Sequence, residues 1–225
     1  MNETYSNKEN LNVSYESVGA RLITLHFTPE AKEAMDHFEI IQDVDFSWEG
    51  AIDVAFQNEL AKQLKTAGNN EDSVIDTVTS AITENVSCYV EEKQSNEALV
   101  YVRATVPNEL FNVPRWHSDG SFFKPGQVEK KLVFSPKGPA TLIGKVNDVE
   151  DFNKDERILN NLLDEKELSD PEVIALREQM ATYVSPLVSA EFGQGVEFSV
   201  GGDEATVHSE PPQSQARLFV SVVAK

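Results

Sequence analysis

The sequence predicts an α+β protein in which two blocks of helices accompany a larger set of strands. Apolar residues recur at helical spacing in the first third of the chain, at alternating spacing from about residue 86, and at helical spacing again over 153–184. The chain has 225 residues, of which 40% are hydrophobic, and this is enough to bury a substantial core. No linker-like composition interrupts it, so we expect a single domain over residues 1–225, with 1–85 as a mainly helical cover.

Three helices are predicted in that cover, after a short extended segment over 21–27. Thr28 and Pro29 provide a cap and a first-turn proline for a helix that reaches about residue 41. A second helix ends near Gly68, where a stripe of apolar residues at steps of three and four stops. A third helix is predicted over 72–84. We expect the apolar faces of these helices to cover a sheet.

Strands dominate from about residue 86, where β-branched and aromatic residues alternate with polar ones. The predicted strands are 87–92, 98–106, 131–135, 140–143, 196–200, 205–209 and 217–223. Two helices over 153–184 interrupt this series. Strands with one helical insertion favour a double-stranded β-helix, a jelly-roll or cupin-like core, over a Rossmann sheet, in which helices alternate with every strand. We expect that core over 86–225.

The charge of the chain argues against several classes of partner. Nineteen Lys and Arg against 38 Asp and Glu give a formal net charge of -19, which repels nucleic acid and anionic membranes. The single cysteine, Cys88, cannot form an internal disulfide. The first residues lack an apolar signal segment, and no apolar run approaches the roughly 20 residues that span a bilayer. We therefore expect a cytoplasmic protein, and we leave its oligomeric state open.

A His-x-Asp pair and a distant second histidine are the strongest chemical signal. Residues i and i+2 of a strand point to the same face, so His117 and Asp119 would point together, and Arg115 would share their side. His208 ends a short β-branched segment much later in the chain. Two histidines and one carboxylate form the ligand set that holds iron(II) at three corners of an octahedron and leaves three corners open. The pattern predicts a metal and catalytic centre at His117, Asp119 and His208.

Arg217 follows His208 by nine positions (217 − 208 = 9) and opens the last predicted strand. Its side chain would share one face with Phe219, and a buried guanidinium requires an anionic partner. The planar guanidinium suits a bidentate contact with a carboxylate. Pro211 and Pro212 oppose a tight hairpin, so His208 and Arg217 would lie on facing sheets about 10 Å apart. This spacing would accommodate a small diacid between them.

The order His-x-Asp, His, Arg over roughly residues 99–223 resembles the iron(II)- and 2-oxoglutarate-dependent oxygenase superfamily. This resemblance implies a dioxygenase that binds Fe(II) and 2-oxoglutarate and hydroxylates a C–H bond. The implied substrate is a small molecule or an amino acid derivative, with a protein side chain as the second choice. Retention of Asp119 argues against the halogenating members of that superfamily.

The resemblance also implies that Arg217 holds the far carboxylate of 2-oxoglutarate, and it makes Thr141 and Lys131 candidates to assist. Arg115 is a further candidate, because its side of the strand is that of His117 and Asp119. The chain departs from the common pattern in having Phe219 where many members place a Ser or Thr that shares this carboxylate. Another hydroxyl would then be needed, and the candidates are Thr141, Ser221 and Tyr101.

Two other functions stay open at this point. One is a cupin-like metal enzyme that uses the same three ligands without 2-oxoglutarate, which Phe219 favours slightly. The other is a non-catalytic β-sandwich module that binds a protein. The sequence contains no Walker-type loop, no His-Glu-x-x-His helix and no Gly-x-Ser-x-Gly turn. Trp116, Phe122 and Phe123 are expected to be packing residues.

Overall fold

The computed structural model describes residues 16–109, 113–119, 128–187, 189–202 and 205–225. The strands in these ranges are β1 (Ala20–Thr24), β2 (Val44–Gly50), β3 (Ala98–Thr105), β4 (Glu129–Lys137), β5 (Leu142–Val146), β6 (Val184–Pro186), β7 (Gln194–Val200), β8 (His208–Ser209) and β9 (Arg217–Ala224). The helices are α1 (Pro29–His37), α2 (Val54–Leu64), α3 (Asp72–Glu92), α4 (Val149–Glu165) and α5 (Pro171–Thr182). Phe122 and Phe123, predicted to pack, lie outside the described residues.

The strands form two antiparallel sheets. The large sheet has the order β1-β7-β4-β9-β3-β2, and the small sheet has the order β6-β5-β8. One further antiparallel bridge pairs His117 with His208, which adds the segment around His117 to the small sheet beside β8. From β3 to β9 the chain therefore passes back and forth between the sheets: large, small (His117), large, small (β5 and β6), large, small, large. This path is that of a double-stranded β-helix, so the predicted fold is confirmed.

The two faces of the large sheet pack against different partners. Its outer face lies under α1, α2 and α3, where Leu132 and Val220 join the main apolar core. Its inner face contributes Val133 and Phe198 to a second cluster, which Ile143 of β5 completes from the small sheet. The N-terminal helices thus cover a sheet, as predicted, and the space between the two sheets has its own apolar lining.

The helical insertion, α4 and α5, lies in the chain between β5 and β6 and has a third apolar cluster. Phe152 of α4 and Val173 of α5 are buried there with Trp116, which is only 2% exposed. The predicted helical insertion and the predicted packing role of Trp116 are both confirmed. Among the described residues, no helix combines the length and the apolar character that crossing a bilayer requires.

Three details of the predicted elements are wrong. The strand predicted over 87–92 is the last part of α3, in which Tyr89 and Val90 are buried on the same side as Ile82 and Val86. Helical packing there overrides the strand preference of the individual residues. The strand predicted over 205–209 is reduced to β8, and β2 and β6 were not predicted.

Candidate metal centre

His117, Asp119 and His208 converge at one edge of the small sheet. Each residue offers one ligand atom, and these three atoms all lie within 4.8 Å of one another. The Nε2 atom of His117 is 3.5 Å from Asp119 Oδ1, and that of His208 is 3.5 Å from Asp119 Oδ2. Ligand atoms about 2.1 Å from one octahedral ion lie about 3 Å apart when they are adjacent, so a small contraction would let these three residues share an ion. The structure brings together the three predicted ligands, and their metal-binding role stays a prediction.

Backbone hydrogen bonds orient both imidazoles. His117 and His208 face each other across the bridge, with N–H to C=O bonds of 3.0 and 2.9 Å in the two directions. Nδ1 of His117 lies 2.8 Å from the carbonyl of Arg115, and Nδ1 of His208 lies 3.0 Å from that of Thr206. A carbonyl only accepts, so we assign the proton to each Nδ1. Each Nε2 is then the ring nitrogen that faces Asp119, the orientation of metal-ligating histidines.

The charge states of the cluster suit a divalent cation. Burial on its own would raise the pKa of Asp119, but the hydrogen bond and charge interaction with His208 and the charges of Lys131 and His117 hold it well below its usual range. Burial, followed by repulsion from His208 and Arg115, lowers the pKa of His117 well below its usual value. At neutral pH the site therefore offers an ionised carboxylate and a neutral His117 imidazole, the protonation states that metal ligation requires.

Arg217 is a buried cation whose hydrogen-bond partners among the described residues are neutral. It begins β9 and is 2% exposed. Its Nε donates to the carbonyl of Pro139 at 2.9 Å and to Ser135 Oγ at 3.3 Å, and its Nη2 donates to Thr141 Oγ1 at 2.9 Å. Among the described residues, no carboxylate lies within 4.0 Å of the guanidinium. Burial, opposed by Glu210, lowers the pKa of Arg217 to about 10, so the side chain is charged at neutral pH and suited to an anionic ligand.

Thr141 places a hydroxyl beside Arg217, in a chain that has Phe219 two positions after this arginine. The guanidinium of Arg217 lies over the ring of Phe219, 4.6 Å from its centre. Of the three hydroxyl candidates Thr141, Ser221 and Tyr101, Thr141 is the one with a hydrogen bond to Arg217 within the described part of the chain. The structure thus places Thr141 beside Arg217, and the contribution of both to cosubstrate binding stays a prediction.

Lys131 and Arg115 lie at the metal cluster instead of beside Arg217. The Nζ atom of Lys131 is 2.5 Å from Asp119 Oδ2, on the inner side of β4. Arg115 contacts His117 through its backbone carbonyl, and its guanidinium makes no hydrogen bond or ion pair with a residue that the structure describes. Their predicted role in holding the cosubstrate stays a prediction, but Lys131 already has a role as the counter-ion of Asp119.

Glu156 was not predicted as a site residue; it belongs to α4 and contacts the segment that carries His117 and Asp119. Its Oε1 accepts a hydrogen bond of 2.6 Å from the backbone N–H of Ser118, and its Oε2 lies 3.0 Å from the hydroxyl of Ser118. Ser118 stands between His117 and Asp119 in the chain. Glu156 is 38 residues away from Ser118 in the chain and lies on a helix with many other acidic residues. No sequence pattern therefore predicted this contact.

No protein-family model matches the chain, and the curated proteins contain no match. Solved structures do match. A dioxygenase for auxin oxidation in rice aligns with TM-score 0.47 and 10% identity over 97% of this chain and 77% of that chain. A Pseudomonas putida prolyl-4-hydroxylase aligns with TM-score 0.40 and 11% identity over 96% and 90%. HygX from Streptomyces hygroscopicus, with nickel and 2-oxoglutarate bound, aligns with TM-score 0.41 and 10% identity over 95% and 85%.

TM-scores below 0.5 at such low identity do not transfer a function, because one fold hosts many unrelated activities. Only the residues of the site can support a function for this chain.

Proposed function

We propose that the chain is an iron(II)- and 2-oxoglutarate-dependent dioxygenase that hydroxylates a C–H bond of a small molecule or an amino acid derivative, with a protein substrate as the second choice. The observation that supports it is a pair of complementary sites on facing sheets. On the small sheet lies a cluster that could bind a cation, formed by His117, Asp119 and His208. On the large sheet lies the guanidinium of Arg217, which could bind an anion. The reaction consumes oxygen and 2-oxoglutarate and yields the alcohol, succinate and carbon dioxide.

His117, Asp119 and His208 would hold Fe(II) through two neutral nitrogens and one carboxylate oxygen. When bound, the iron supplies the redox chemistry with oxygen, at coordination positions that the protein leaves open. The backbone carbonyls behind the two imidazoles accept from each Nδ1, fix the ring orientations and leave Nε2 as the nitrogen that would ligate the metal. Lys131 holds one oxygen of Asp119, which favours ligation through the other.

Arg217 and Thr141 would hold the far carboxylate of 2-oxoglutarate. A charge-assisted contact between guanidinium and carboxylate is about twice as strong as a neutral hydrogen bond, and it would compensate the buried charge. The hydroxyl of Thr141, fixed by its contact with Arg217, is available as a second donor. Phe219 and the inner apolar cluster around Phe198 and Ile143 would exclude water between the two sites.

Binding and turnover of the purified full-length chain test this proposal. We expect 2-oxoglutarate to bind by calorimetry in an anaerobic Fe(II) solution, and succinate to form when oxygen and a suitable C–H substrate are added. His117→Ala should abolish the binding of iron, and Arg217→Leu should weaken the binding of 2-oxoglutarate while iron is retained. Arg21→Leu, on the far side of the large sheet, is the matched control and should change neither.

Each alternative function has its own result in this experiment. Iron binding without any affinity for 2-oxoglutarate would contradict the proposal and favour the cupin-like enzyme that acts without this cosubstrate. Failure of the wild-type chain to bind iron at all would contradict it in favour of a non-catalytic module.

A further inference from the structure

We propose that Glu156 is a positioning residue, which holds the backbone between His117 and Asp119 so that the two side chains meet one metal ion. This inference rests on the metal centre of the proposed function. It concerns a residue of the helical insertion, outside the ligand set and outside the expected cosubstrate contacts.

The segment around His117 is an edge of the small sheet. Its described pairing is one antiparallel bridge, in which His117 exchanges both backbone hydrogen bonds with His208. The N–H of the next residue, Ser118, then points away from β8, because neighbouring residues of a strand direct their backbone groups to opposite sides. Within the described ranges no strand lies on that side. Such an edge is held weakly unless another element covers it.

Glu156 takes the place of the missing strand. One carboxylate oxygen accepts from the Ser118 N–H at 2.6 Å, and the other lies 3.0 Å from the Ser118 hydroxyl. Because both oxygens contact one residue, the carboxylate restrains the backbone torsions that set the angle between His117 and Asp119. Charge-assisted hydrogen bonds of this kind are stronger than neutral ones. No Lys or Arg of the described residues lies within 4.0 Å of Glu156, so Ser118 is its principal partner there.

Two further contacts hold the same segment from the insertion side. Trp116 is buried in the cluster formed by α4 and α5, and a guanidinium nitrogen of Arg177 donates to the carbonyl of Val113. Trp116 and Ser118 are thus held by the insertion, while His117 and Asp119 turn toward the cluster of ligands. The contact of Glu156 is the one that lies between the two ligands, so its loss should affect their mutual geometry most.

Titration with Co(II) in the absence of 2-oxoglutarate tests the inference on the full-length chain. We expect Glu156→Leu to weaken Co(II) binding by about 10–100-fold, the range found when residues that orient metal ligands are removed. Its visible spectrum should also change, because this spectrum reports the ligand geometry. Glu156→Gln keeps an oxygen acceptor for the Ser118 N–H and should retain most of the affinity. Glu165→Leu, at an exposed position of the same helix, is the matched control and should behave like the wild type.

Several outcomes would overturn the inference. Wild-type affinity in a folded Glu156→Leu variant would show that the contact does not position the ligands. An equal loss in Glu156→Gln would show that the negative charge matters and the hydrogen bonds do not. If Glu156→Leu does not fold, Ser118→Ala decides: we expect a loss of about threefold from one missing hydrogen bond, and unchanged affinity would overturn the inference. Absence of Co(II) binding in the wild type would instead overturn the proposed function along with it.

Discussion

The two faces of β9 differ in what they bury. Leu218, Val220 and Val222 are 0% exposed and join the apolar core beneath the N-terminal helices. The alternate residues Arg217 and Phe219 lie on the inner side, where the guanidinium has only neutral acceptors among the described residues. Apolar burial stabilises the fold, whereas burial of a charge opposes it. The alternation of residues along one strand therefore separates apolar packing from the buried guanidinium of the proposed cosubstrate site, and substitutions on the two faces should have separable effects.

The largest effect is expected on metal binding, at the cluster of His117, Asp119 and His208. His208→Ala should reduce the binding of Fe(II) or Co(II) to an undetectable level, because it removes one of three ligands and leaves an incomplete set. Equilibrium dialysis with metal analysis measures this, and circular dichroism checks that the variant is folded. A folded His208→Ala variant that binds metal as the wild type does would show that the cluster is not the metal site.

The next largest effect is expected in the core beneath the N-terminal helices, on the outer side of the large sheet. A substitution there should change stability alone. Phe56 of α2 is fully buried and its ring lies 6.0 and 5.8 Å from those of Phe46 and Trp48. Phe56→Ala should lower the free energy of unfolding by about 3–5 kcal/mol, measured by urea denaturation. Val54→Ala, at a position of the same helix that is 69% exposed, should change it by less than about 0.5 kcal/mol.

Metal affinity of the folded Phe56→Ala protein should equal that of the wild type. A parallel fall in metal affinity would contradict the separation between the two faces, since it would show that the outer core also sets the geometry of the ligands.

The alternation of strand residues explains why the core of the site could be predicted from the sequence. Because i and i+2 share a face, His117 and Asp119 were expected to point together, and the structure brings both to His208. The same rule placed Arg217 and Phe219 on one side of β9, where they contact each other. Local periodicity is sufficient for such statements, since the members of each pair are only two residues apart in the chain.

Contacts between distant elements could not be predicted in this way. The ion pair between Lys131 of β4 and Asp119 joins two separate segments, and no spacing in the sequence predicted it. Glu156 reaches Ser118 only because α4 packs behind the small sheet. The error over 87–92 has the same cause, because burial against the large sheet extends α3 beyond the residues that favour a helix individually. In each case the deciding interaction joins residues that the sequence separates.

Arg217→Leu replaces the guanidinium on the inner face of β9 with an apolar side chain of the kind found on the outer face. Loss of hydrogen bonds to a charged ligand should weaken 2-oxoglutarate binding by about 10–100-fold. The free energy of unfolding without ligand should change by less than about 1 kcal/mol, because relief of the buried charge offsets the lost contacts to Pro139 and Thr141. Calorimetry and urea denaturation measure the two quantities. A loss of several kcal/mol in stability would show that the guanidinium mainly supports the fold.

The smallest effect tests whether a charge on the outer face behaves as a structural group. Glu197 of β7 is buried and pairs with Arg21 at 2.7 Å and with Lys93. Burial alone would raise the pKa of Glu197, but hydrogen bonds from Arg21, Lys93 and Tyr89 outweigh it and lower the pKa. Glu197→Gln should therefore cost about 1 kcal/mol of unfolding free energy at pH 7, a modest value because Arg21 is largely exposed to solvent.

The pH dependence of that cost has a defined sign. A carboxylate whose pKa is lowered by folding stabilises the protein above the pKa of the unfolded chain, about 4.3, and this contribution is lost as the pH falls through the lower folded value. The difference in unfolding free energy between the wild type and Glu197→Gln should thus be constant from pH 8 to about 5 and should decrease below that. Lys32→Ala, which breaks an exposed pair with Asp36 on α1, should leave the unfolding free energy nearly unchanged at every pH. A cost of Glu197→Gln that grows on acidification would show that burial dominates over pairing, and that charges on the outer face oppose folding as Arg217 does on the inner one.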